Sequence, residues 1–377
     1  MILNVAIWTL LAICSAALII YLLSMLFALI NWNTKSLQQA NPNARSLAVI
    51  VPFRNEEDAI VQCLISLKEQ DLPDLDCTFI FVDDHSSDKS NRIVKDLLDE
   101  QELTNFKLLE LPSHLNGKKA AIAAAIDLVD VEMILTTDAD TVAHPSWIKT
   151  LIQEQSETGS DMICGPVQMK SGSTLIDKIQ SMEFTVLQGI TGSFIQGARP
   201  IMCNGANLLF KRSVFLEVDG YKGNETISSG DDVFLMFKFW KRRPKSVAYC
   251  KSRTAVVSVK PEKNFNGSVE QRVRWMSKLS FYKNYSIKIF SISIALAHLS
   301  VPIYILLLLL NESSLVLTIL IMAKVVVDLT FYAVVSSWFK QRINLLLVLL
   351  FELIYPLFLL FIFIRSFNST YSWKGRT

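Results

Sequence analysis

Residues 78–88, TFIFVDDHSSD, join an apolar run rich in strand-forming residues to two adjacent carboxylates, Asp83 and Asp84. A run of this composition that stops at polar, turn-forming residues is typical of a β-strand. Residues 131–141, VEMILTTDADT, repeat the arrangement, with a D-x-D sequence after a second apolar run. The repetition predicts that acidic side chains gather where neighbouring strands end.

Short apolar runs alternate with helical stretches around these two segments. Strands are predicted at Leu47–Val51, Thr78–Val82, Phe106–Leu111 and Val131–Leu135, and helices at Glu56–Gln70, Asp88–Asp99 and Lys119–Leu128. Ser86 or Ser87 is the expected N-cap of the second helix. This alternation favours an α/β fold, a mostly parallel sheet with helices on both faces. In such sheets ligands bind at the carboxyl ends of the strands, which is where the acidic residues stand.

The D-x-D sequence consists of Asp138 and Asp140. If the segment stays extended, both side chains point to the same side. Two such carboxylates repel each other unless a cation lies near them. Magnesium takes one or two carboxylates and completes its shell with substrate phosphates and water, so the pair predicts part of a metal–diphosphate site. Solvated loop acids are the alternative, because a single D-x-D often occurs by chance.

Composition narrows the class of protein. Of the 377 residues, 51% are hydrophobic and 19% are charged. The apolar residues are concentrated at the two ends, and the middle resembles a soluble domain. The net charge of +2 is too small to indicate nucleic acid as a partner. Six scattered cysteines without C-x-x-C spacing, and four isolated histidines, favour core thiols in a reducing compartment over a zinc or redox site.

Four apolar segments are long enough to cross a membrane. The first, Val5–Ile30, lacks the short apolar core and the cleavage site of a signal peptide, so we expect a retained anchor. The others are predicted at Phe290–Leu310, Leu315–Ser337 and Ile343–Ile364. Lys35 and Arg45 follow the first segment, so the positive-inside rule predicts an external N-terminus and a cytoplasmic central domain.

The same rule conflicts with the end of the chain. Four full crossings place Arg365, Lys374 and Arg376 outside, where basic residues are disfavoured. Either the last segment is re-entrant or interfacial, or the count of crossings is off by one. Both alternatives predict an integral protein of the cell membrane.

Ionisable residues interrupt two of the apolar segments. Lys324 and Asp328 are four residues apart, so on a helix they share a face and can pair. Glu352 lies four residues before Pro356, which is expected to kink its helix. One interpretation is a buried ion pair with a helix-packing carboxylate. The other is a polar lining for an acceptor path.

Short motifs follow one another in a fixed order between Val49 and Trp275. They are VIVPFRNEE (49–57), VDDHSSD (82–88), NGKKAAI (116–122), TTDADT (136–141), CNGANLLF (203–210), SGDDVFL (229–235) and QRVRW (271–275). In these motifs the sequence resembles the glycosyltransferase family 2 enzymes of the GT-A fold. It is similar in particular to membrane-bound members related to polysaccharide synthases and lipid glucosyltransferases.

The resemblance implies a GT-A type nucleotide-sugar-binding domain with N- and C-terminal transmembrane helices. It divides the chain into an anchor at 1–34, a catalytic domain at 46–285, transmembrane helices at 286–366 and a tail at 367–377. The implied partners are a nucleotide-diphosphate sugar, expected to be a UDP-sugar, and a lipid or saccharide acceptor. The implied cofactor is a divalent metal, Mg or Mn.

The first three motifs imply the residues that hold the nucleotide. Pro52, Arg54 and Glu56 match positions that line the nucleotide pocket after the first strand. Asp84 matches the residue that holds the base, and Lys118 lies near the nucleotide. His85 departs from the family pattern, because Gly is common at its position.

The middle motifs imply the metal and sugar contacts. Asp138 matches a residue that holds the ribose or assists the metal, and Asp140 matches the direct metal ligand. Asn204 and Gly205 match positions that shape the pocket for the sugar.

The last two motifs imply the catalytic groups. Asp232 matches the catalytic base, and Asp231 stands among the substrate-binding positions where many relatives have Glu, so which acid acts stays open. Gln271, Arg274 and Trp275 match the QxxRW motif, which contacts the diphosphate and the acceptor. Their spacing brings them to one side of a helix, and Val273, Met276 and Leu279 provide apolar side chains that could rest at the membrane interface.

The expected reaction is inverting sugar transfer at the membrane. With one base and no second carboxylate nucleophile, direct displacement inverts the anomeric carbon. A processive polysaccharide synthase is an alternative, although three C-terminal segments are few for a secretion channel. A membrane-tethered nucleotide-sugar binding protein without turnover is another, and it would not need Asp232. A transporter is disfavoured because the membrane segments show no inverted repeat.

Overall fold

The computed structural model describes residues 2–33, 44–72, 74–223, 230–277 and 285–368. Within these residues, a mixed α/β region lies between one long apolar helix at the N-terminal end and three at the C-terminal end. Lys35, Leu279, Lys374 and Arg376, on which some of the predictions above rest, lie outside the described part of the chain.

Two sheets organise the α/β region. Its strands are β1 Ser46–Phe53, β2 Asp76–Asp83, β3 Phe106–Glu110, β4 Met133–Thr136, β5 Val142–Ala143, β6 Met162–Cys164, β7 Val167–Met169, β8 Leu208–Lys211, β9 Val247–Tyr249 and β10 Val257–Val259. Among the described residues, the large sheet has the order β3-β2-β1-β4-β8-β6-β9, and the small sheet has the order β5-β10-β7. The four predicted strands are all present in the large sheet.

Parallel pairing at the centre of the large sheet positions the site. β1 and β2 run side by side from Ser46 beside Asp76 to Phe53 beside Asp83. β4 pairs in parallel with the other side of β1. The apolar side chains of β1 are buried, because helices cover both faces of the sheet. β8 runs antiparallel to β4 and β6, so the sheet is mixed rather than simply parallel.

The helices follow the alternation with shifted ends. They are α1 Ile2–Trp32, α2 Ile60–Lys68, α3 Ser90–Glu100, α4 Lys118–Asp127, α5 Trp147–Thr158, α6 Leu175–Gln196, α7 Arg212–Glu217, α8 Asp231–Arg242, α9 Phe265–Ser277, α10 Tyr285–Leu309, α11 Leu315–Trp338 and α12 Leu345–Asn368. The predicted cap of α3 is wrong, since this helix starts after Lys89. The Ser86 hydroxyl instead accepts the Asn55 N–H at 3.1 Å, and the Ser87 N–H donates to the Asn55 side chain at 2.8 Å.

The helices α1, α10, α11 and α12 are long and apolar enough to cross a membrane, and they correspond to the four predicted segments. The predicted Phe290–Leu310 runs one residue past α10, and the predicted Ile343–Ile364 starts two residues before α12. In the core of these helices, Lys324 donates to Asp328 at 2.7 Å and to Glu352. Tyr21 of α1 donates to the second oxygen of Asp328 at 2.5 Å. At most 10% of the Lys324, Asp328 and Glu352 side chains is exposed, which supports the interpretation as a buried ion pair.

The helix α6 joins the α/β region to the apolar helices. Thr174 and Asp177 form a capping box at its start. Further along, α6 packs against α1 and α11 at glycine positions. A Cβ at Gly192 would lie 2.7 Å from the Tyr249 ring and 2.8 Å from the Trp32 ring, so only hydrogen fits there.

Replacing Gly192 by Ala is therefore expected to destabilise the protein. The added methyl group overpacks a closed contact, which costs about 1–3 kcal/mol. Thermal unfolding of the detergent-solubilised protein measures the effect as a lower Tm. Ser193→Ala is the control, because the neighbouring Ser193 hydroxyl is buried and has no hydrogen-bond partner among the described atoms. Equal Tm values for both variants would contradict the close packing at Gly192.

Candidate active site

Asp84 lies where β1, β2 and the start of α4 meet. It follows β2, and its side chain is 2% exposed. Its Oδ2 accepts the Gly117 N–H at 3.0 Å, and its carbonyl accepts the Arg54 guanidinium at 2.8 Å. Asp83 has a structural role instead, because its carboxylate accepts the Ser86 N–H and the Asn91 amide at 2.9 and 2.8 Å. The structure therefore brings Arg54 and Asp84 together and leaves Asp83 holding the start of α3.

Pro52 and Glu56 border the same loop. Pro52 is buried within β1 beside Val82, so it shapes the end of the strand. The Glu56 backbone N–H donates to the Ser90 hydroxyl at 2.7 Å, which ties this loop to α3. Both residues thus stand at the carboxyl edge of the sheet.

His85 adopts the left-handed backbone conformation that favours glycine, with φ of 57°. Its Nε2 lies 3.0 Å from the Leu115 carbonyl oxygen. The ring is half-buried and faces a cavity of about 410 Å³. The residues that line this cavity are Asp83, His85, Ser86, Asn91, Glu110 and Leu111. The side chain therefore lines this cavity rather than pointing freely into solvent.

Lys118 connects the two halves of the predicted site. It is the first residue of α4, and its ammonium group bonds the Asp138 carboxylate. Burial lowers the pKa of Lys118, but the negative charges of Asp138 and Asp231 outweigh this and raise the pKa above its usual value. Lys118 therefore remains a fixed positive charge in the cleft.

The D-x-D segment forms a turn and not an extended strand. β4 ends at Thr136, and the Thr141 N–H donates to the Asp138 carbonyl at 3.2 Å. The alternation assumed for Asp138 and Asp140 is therefore wrong, because the chain turns to leave the sheet. Their charges still interact: burial in the cleft and the negative charge of Asp138 raise the pKa of Asp140 to about 6.

Asp140 is surrounded by the walls of the cleft but keeps an exposed surface, so a ligand can reach it. Within the described residues, no group of three or more His, Cys, Asp or Glu side chains could hold a metal ion. A cation at Asp140 would therefore need ligands from the substrate or from water. Magnesium commonly binds to proteins in this way.

Asp232 lies in the same cleft. Its Oδ2 accepts the Gly205 N–H at 2.9 Å, and its Oδ1 accepts the Val233 N–H at 2.8 Å in the first turn of α8. A Cβ placed on Gly205 would be 3.2 Å from the Lys118 ammonium and 3.4 Å from the Asp232 Cβ. Lys118 thus borders Asp232 on one side and bonds Asp138 on the other.

Hydrogen bonds of Asn204 and Asn207 hold the loop that carries Gly205 in place. The Asn204 side chain accepts the Ala206 N–H at 3.0 Å. Asn207 is fully buried: its amide donates to the carbonyls of Pro166 and Ala255 at 2.8 Å, and its oxygen accepts the Trp147 indole N–H at 3.0 Å. Sequence reasoning missed Asn207. A polar amide at the start of an apolar strand was the available signal.

The QxxRW residues stand on α9. The Gln271 amide donates to Glu262 at 3.2 Å, and the Trp275 ring lies 6.3 Å from the Phe184 ring. The negative charge of Glu262 contributes to the raised pKa of Asp140, after the larger effects of burial and Asp138, so α9 borders the cleft. Arg274 is half-buried on the same helix.

The apolar side of α9 contacts a neighbouring helix. Val273 is 3% exposed and packs with Val269 against Ile362 of α12, with Met276 beside them. Val273 and Met276 thus contact α12, and their place at the membrane interface stays a prediction.

The fold is an α/β sheet with acidic residues at its carboxyl edge, joined to four apolar helices that are long enough to cross a membrane. Residues 48–218 match the family model described as Glycosyl transferase family 2. This match confirms the resemblance seen in the first five motifs, which all lie within these residues.

Two relatives illustrate the range of the family. Poly(ribitol-phosphate) beta-glucosyltransferase of Bacillus spizizenii is 27% identical over 233 residues, which cover 59% of this chain and 36% of the relative. Hyaluronan synthase of Streptococcus pyogenes is 22% identical over 210 residues, which cover 52% of this chain and 48% of the synthase. The chain thus matches less than half of the length of either curated relative.

A solved structure is similar over nearly the whole chain. It is the mannosyltransferase PcManGT from Pyrobaculum calidifontis in complex with GDP-Man and Mn²⁺. The TM-score is 0.55 at 15% identity, with 95% of this chain and 99% of that chain covered. At this identity the likeness establishes the fold alone. Together with the family match it confirms the predicted fold class, a GT-A type α/β domain with N- and C-terminal apolar helices.

Proposed function

We propose that this protein is a membrane-anchored, metal-dependent, inverting glycosyltransferase that moves a sugar from a nucleotide-diphosphate donor to a lipid or saccharide acceptor. The observation that carries the proposal is the position of Lys118. It bonds Asp138 on the donor side and borders Gly205 and Asp232 on the other side. A sugar nucleotide held on the Asp138 side of Lys118 would therefore present its sugar to Asp232.

The nucleotide is proposed to lie along the carboxyl edge of β1 and β2. Asp84, fixed by Gly117 and Arg54, is proposed to hold the base. Pro52 and Glu56 shape the adjoining loop, and Lys118 contributes positive charge near the phosphates. A UDP-sugar is the expected donor, and the GDP-Man in the mannosyltransferase complex shows that this fold also accepts a guanine nucleotide.

Asp140 fits the role of cation ligand, since its carboxylate is reachable and Asp138 adds negative charge beside it. When bound, Mg²⁺ or Mn²⁺ supplies positive charge that offsets the charge gathering on the departing diphosphate. The Mn²⁺ in the mannosyltransferase complex supports a divalent ion. Arg274 and Gln271, on α9 beside the cleft, are proposed to contact the same diphosphate.

Asp232 is proposed to accept the proton of the acceptor hydroxyl. The hydroxyl oxygen then bonds the anomeric carbon, the bond to the diphosphate oxygen breaks, and its electron pair leaves with the nucleotide. The N–H donors of Gly205 and Val233 fix the orientation of the Asp232 carboxylate. Attack opposite to the leaving group inverts the anomeric configuration. Asn204, Gly205 and Asp231 border the space left for the sugar.

The acceptor is proposed to arrive from the bilayer, with the catalytic domain on the cytoplasmic side. α9 packs against α12, which places Gln271 and Trp275 between the cleft and the apolar helices. The relatives include a poly(ribitol-phosphate) beta-glucosyltransferase and a hyaluronan synthase. We favour single-sugar or glycolipid-forming transfer, because the packing of α9 on α12 sets the QRVRW motif beside an apolar helix.

The test incubates the purified protein with radiolabelled nucleotide sugars, a membrane lipid extract and Mn²⁺. Label in an organic-soluble product that depends on the protein is the expected result. Label in an insoluble polymer would replace single transfer by processive synthesis. Donor binding without any labelled product would favour a non-catalytic binding protein and overturn the proposal.

A further inference from the structure

A buried polar contact links the last apolar helix to the QRVRW helix. Glu183 of α6 and Arg272 of α9 form an ion pair with side chains only 8% and 6% exposed. Arg272 donates from Nε at 2.8 Å and from Nη2 at 2.6 Å to the same Glu183 oxygen. The other Glu183 oxygen accepts the Tyr355 hydroxyl of α12 at 3.1 Å. Both oxygens of this buried carboxylate are therefore occupied, as a stable buried pair requires.

From Arg272 the contact continues to the QRVRW motif. Its Nη1 donates to the Ser268 carbonyl at 3.1 Å and to the Gln271 side-chain oxygen at 3.2 Å. Because the Gln271 side-chain oxygen accepts a hydrogen bond from Arg272, the Gln271 amide N–H₂ points towards Glu262. The guanidinium also lies 5.5 Å from the centre of the Trp275 ring. Two of the three motif side chains thus touch Arg272.

We infer that Tyr355, Glu183 and Arg272 act as positioning residues that set the orientation of α9 at the active site, an inference that rests on the proposed transferase function. The apolar contact between Val273 and α12 holds α9 near the membrane helices but fixes no rotation, because hydrophobic contacts are non-directional. Hydrogen bonds are directional, so the polar contact decides which way the Gln271 side chain faces.

Contacts with two aromatic rings fix the position of the Tyr355 side chain. Its ring stacks on Phe351 at 4.3 Å and meets the His298 ring of α10 edge-on at 5.2 Å. Pro356 follows directly in the helix. A shift of α12 relative to α10 would therefore move the Tyr355 hydroxyl, and with it the donor that holds Glu183.

The test compares Tyr355→Phe with Tyr304→Phe. Tyr304 is a matched control, because it also lies in an apolar helix and its hydroxyl bonds Ser314 and Thr318, away from α9. We expect Tyr355→Phe to lower kcat about tenfold relative to Tyr304→Phe, with donor KM close to that of the control, because misplacement of groups at the active site by a remote change slows the chemical step. A kcat equal to that of Tyr304→Phe would overturn the inference.

A double-mutant cycle separates positioning from independent effects. Arg272→Lys keeps the charge but loses the two-nitrogen contact with Glu183. If the residues act as one unit, Tyr355→Phe combined with Arg272→Lys is no slower than Arg272→Lys alone. If instead the two single losses of kcat multiply in the double variant, Tyr355 does not act through Arg272.

Hydrogen exchange distinguishes this inference from the proposed function. We expect faster amide exchange across residues 265–277 in Tyr355→Phe but not in Tyr304→Phe, whether or not the wild-type protein transfers sugar. If the wild-type protein transfers no sugar but this exchange pattern is observed, the proposed function is refuted and the link between Tyr355 and α9 stands. Unchanged exchange in Tyr355→Phe would refute the link even in an active enzyme.

Discussion

Replacing Asp232 by Asn is expected to lower the rate of sugar transfer by about 100- to 10,000-fold, the usual size of a general-base effect. The amide cannot accept the acceptor proton, while its oxygen can still take the Gly205 N–H that Asp232 holds at 2.9 Å. Donor binding is therefore expected to persist. Single-turnover transfer and nucleotide binding, measured on the same preparation, test the two statements separately.

Asp231→Asn is the matched control for this variant. Both residues stand in the first turn of α8, but only Asp232 accepts the N–H groups of Gly205 and Val233 in the described contacts. We expect a smaller loss in Asp231→Asn, through weaker substrate binding. A larger loss in Asp231→Asn, or normal turnover in Asp232→Asn, would reassign the base.

Replacing Asp140 by Ala is expected to abolish metal-dependent donor binding. Changes next to a metal ligand alone cost about 10- to 100-fold in affinity, so removing the ligand itself should exceed that range. The Mn²⁺ signal in electron paramagnetic resonance, followed with and without the nucleotide sugar, reports the bound ion directly. Transfer activity should fall with it.

Asp130→Asn is the control, because Asp130 is fully exposed near the amino end of β4 and pairs only with Arg212 in the described contacts.

Mn²⁺ binding should also depend on pH. The pKa of Asp140 is raised to about 6, and the protonated form cannot bind a cation. Binding is thus expected to be full about one unit above pH 6, to be halved near pH 6, and to weaken about tenfold per unit well below it. Unchanged Mn²⁺ binding in Asp140→Ala would remove Asp140 from the site.

Local pattern predicted much of the architecture. The four predicted strands, the three helices between them and the four apolar segments are all present, because composition and periodicity within a segment report its burial. The errors fall where local pattern competes with contacts from elsewhere. Ser86 and Ser87 bind Asn55 from another loop instead of capping α3, and the D-x-D segment turns away from the sheet.

The site was only partly predictable for the same reason. The motifs indicated Asp84, Asp138, Asp140 and Asp232, and the structure brings the strand-end acids and the start of α8 to one cleft through Lys118. The residues that hold the site in place, such as Asn207 and Arg272, gave little signal. Their partners lie far away in sequence, so spacing along the chain does not reveal them.

The amino-acid sequence by itself determined which segments are apolar enough to be buried, and which acids stand at strand ends, since both follow from residues that are neighbours along the chain. Tertiary structure alone decided that Lys118 bridges two of those acidic groups, and that a membrane-helix tyrosine reaches the QRVRW helix through Glu183. Such contacts depend on the directions in which separate elements meet, and those directions are set only when the sheet and the apolar helices pack together.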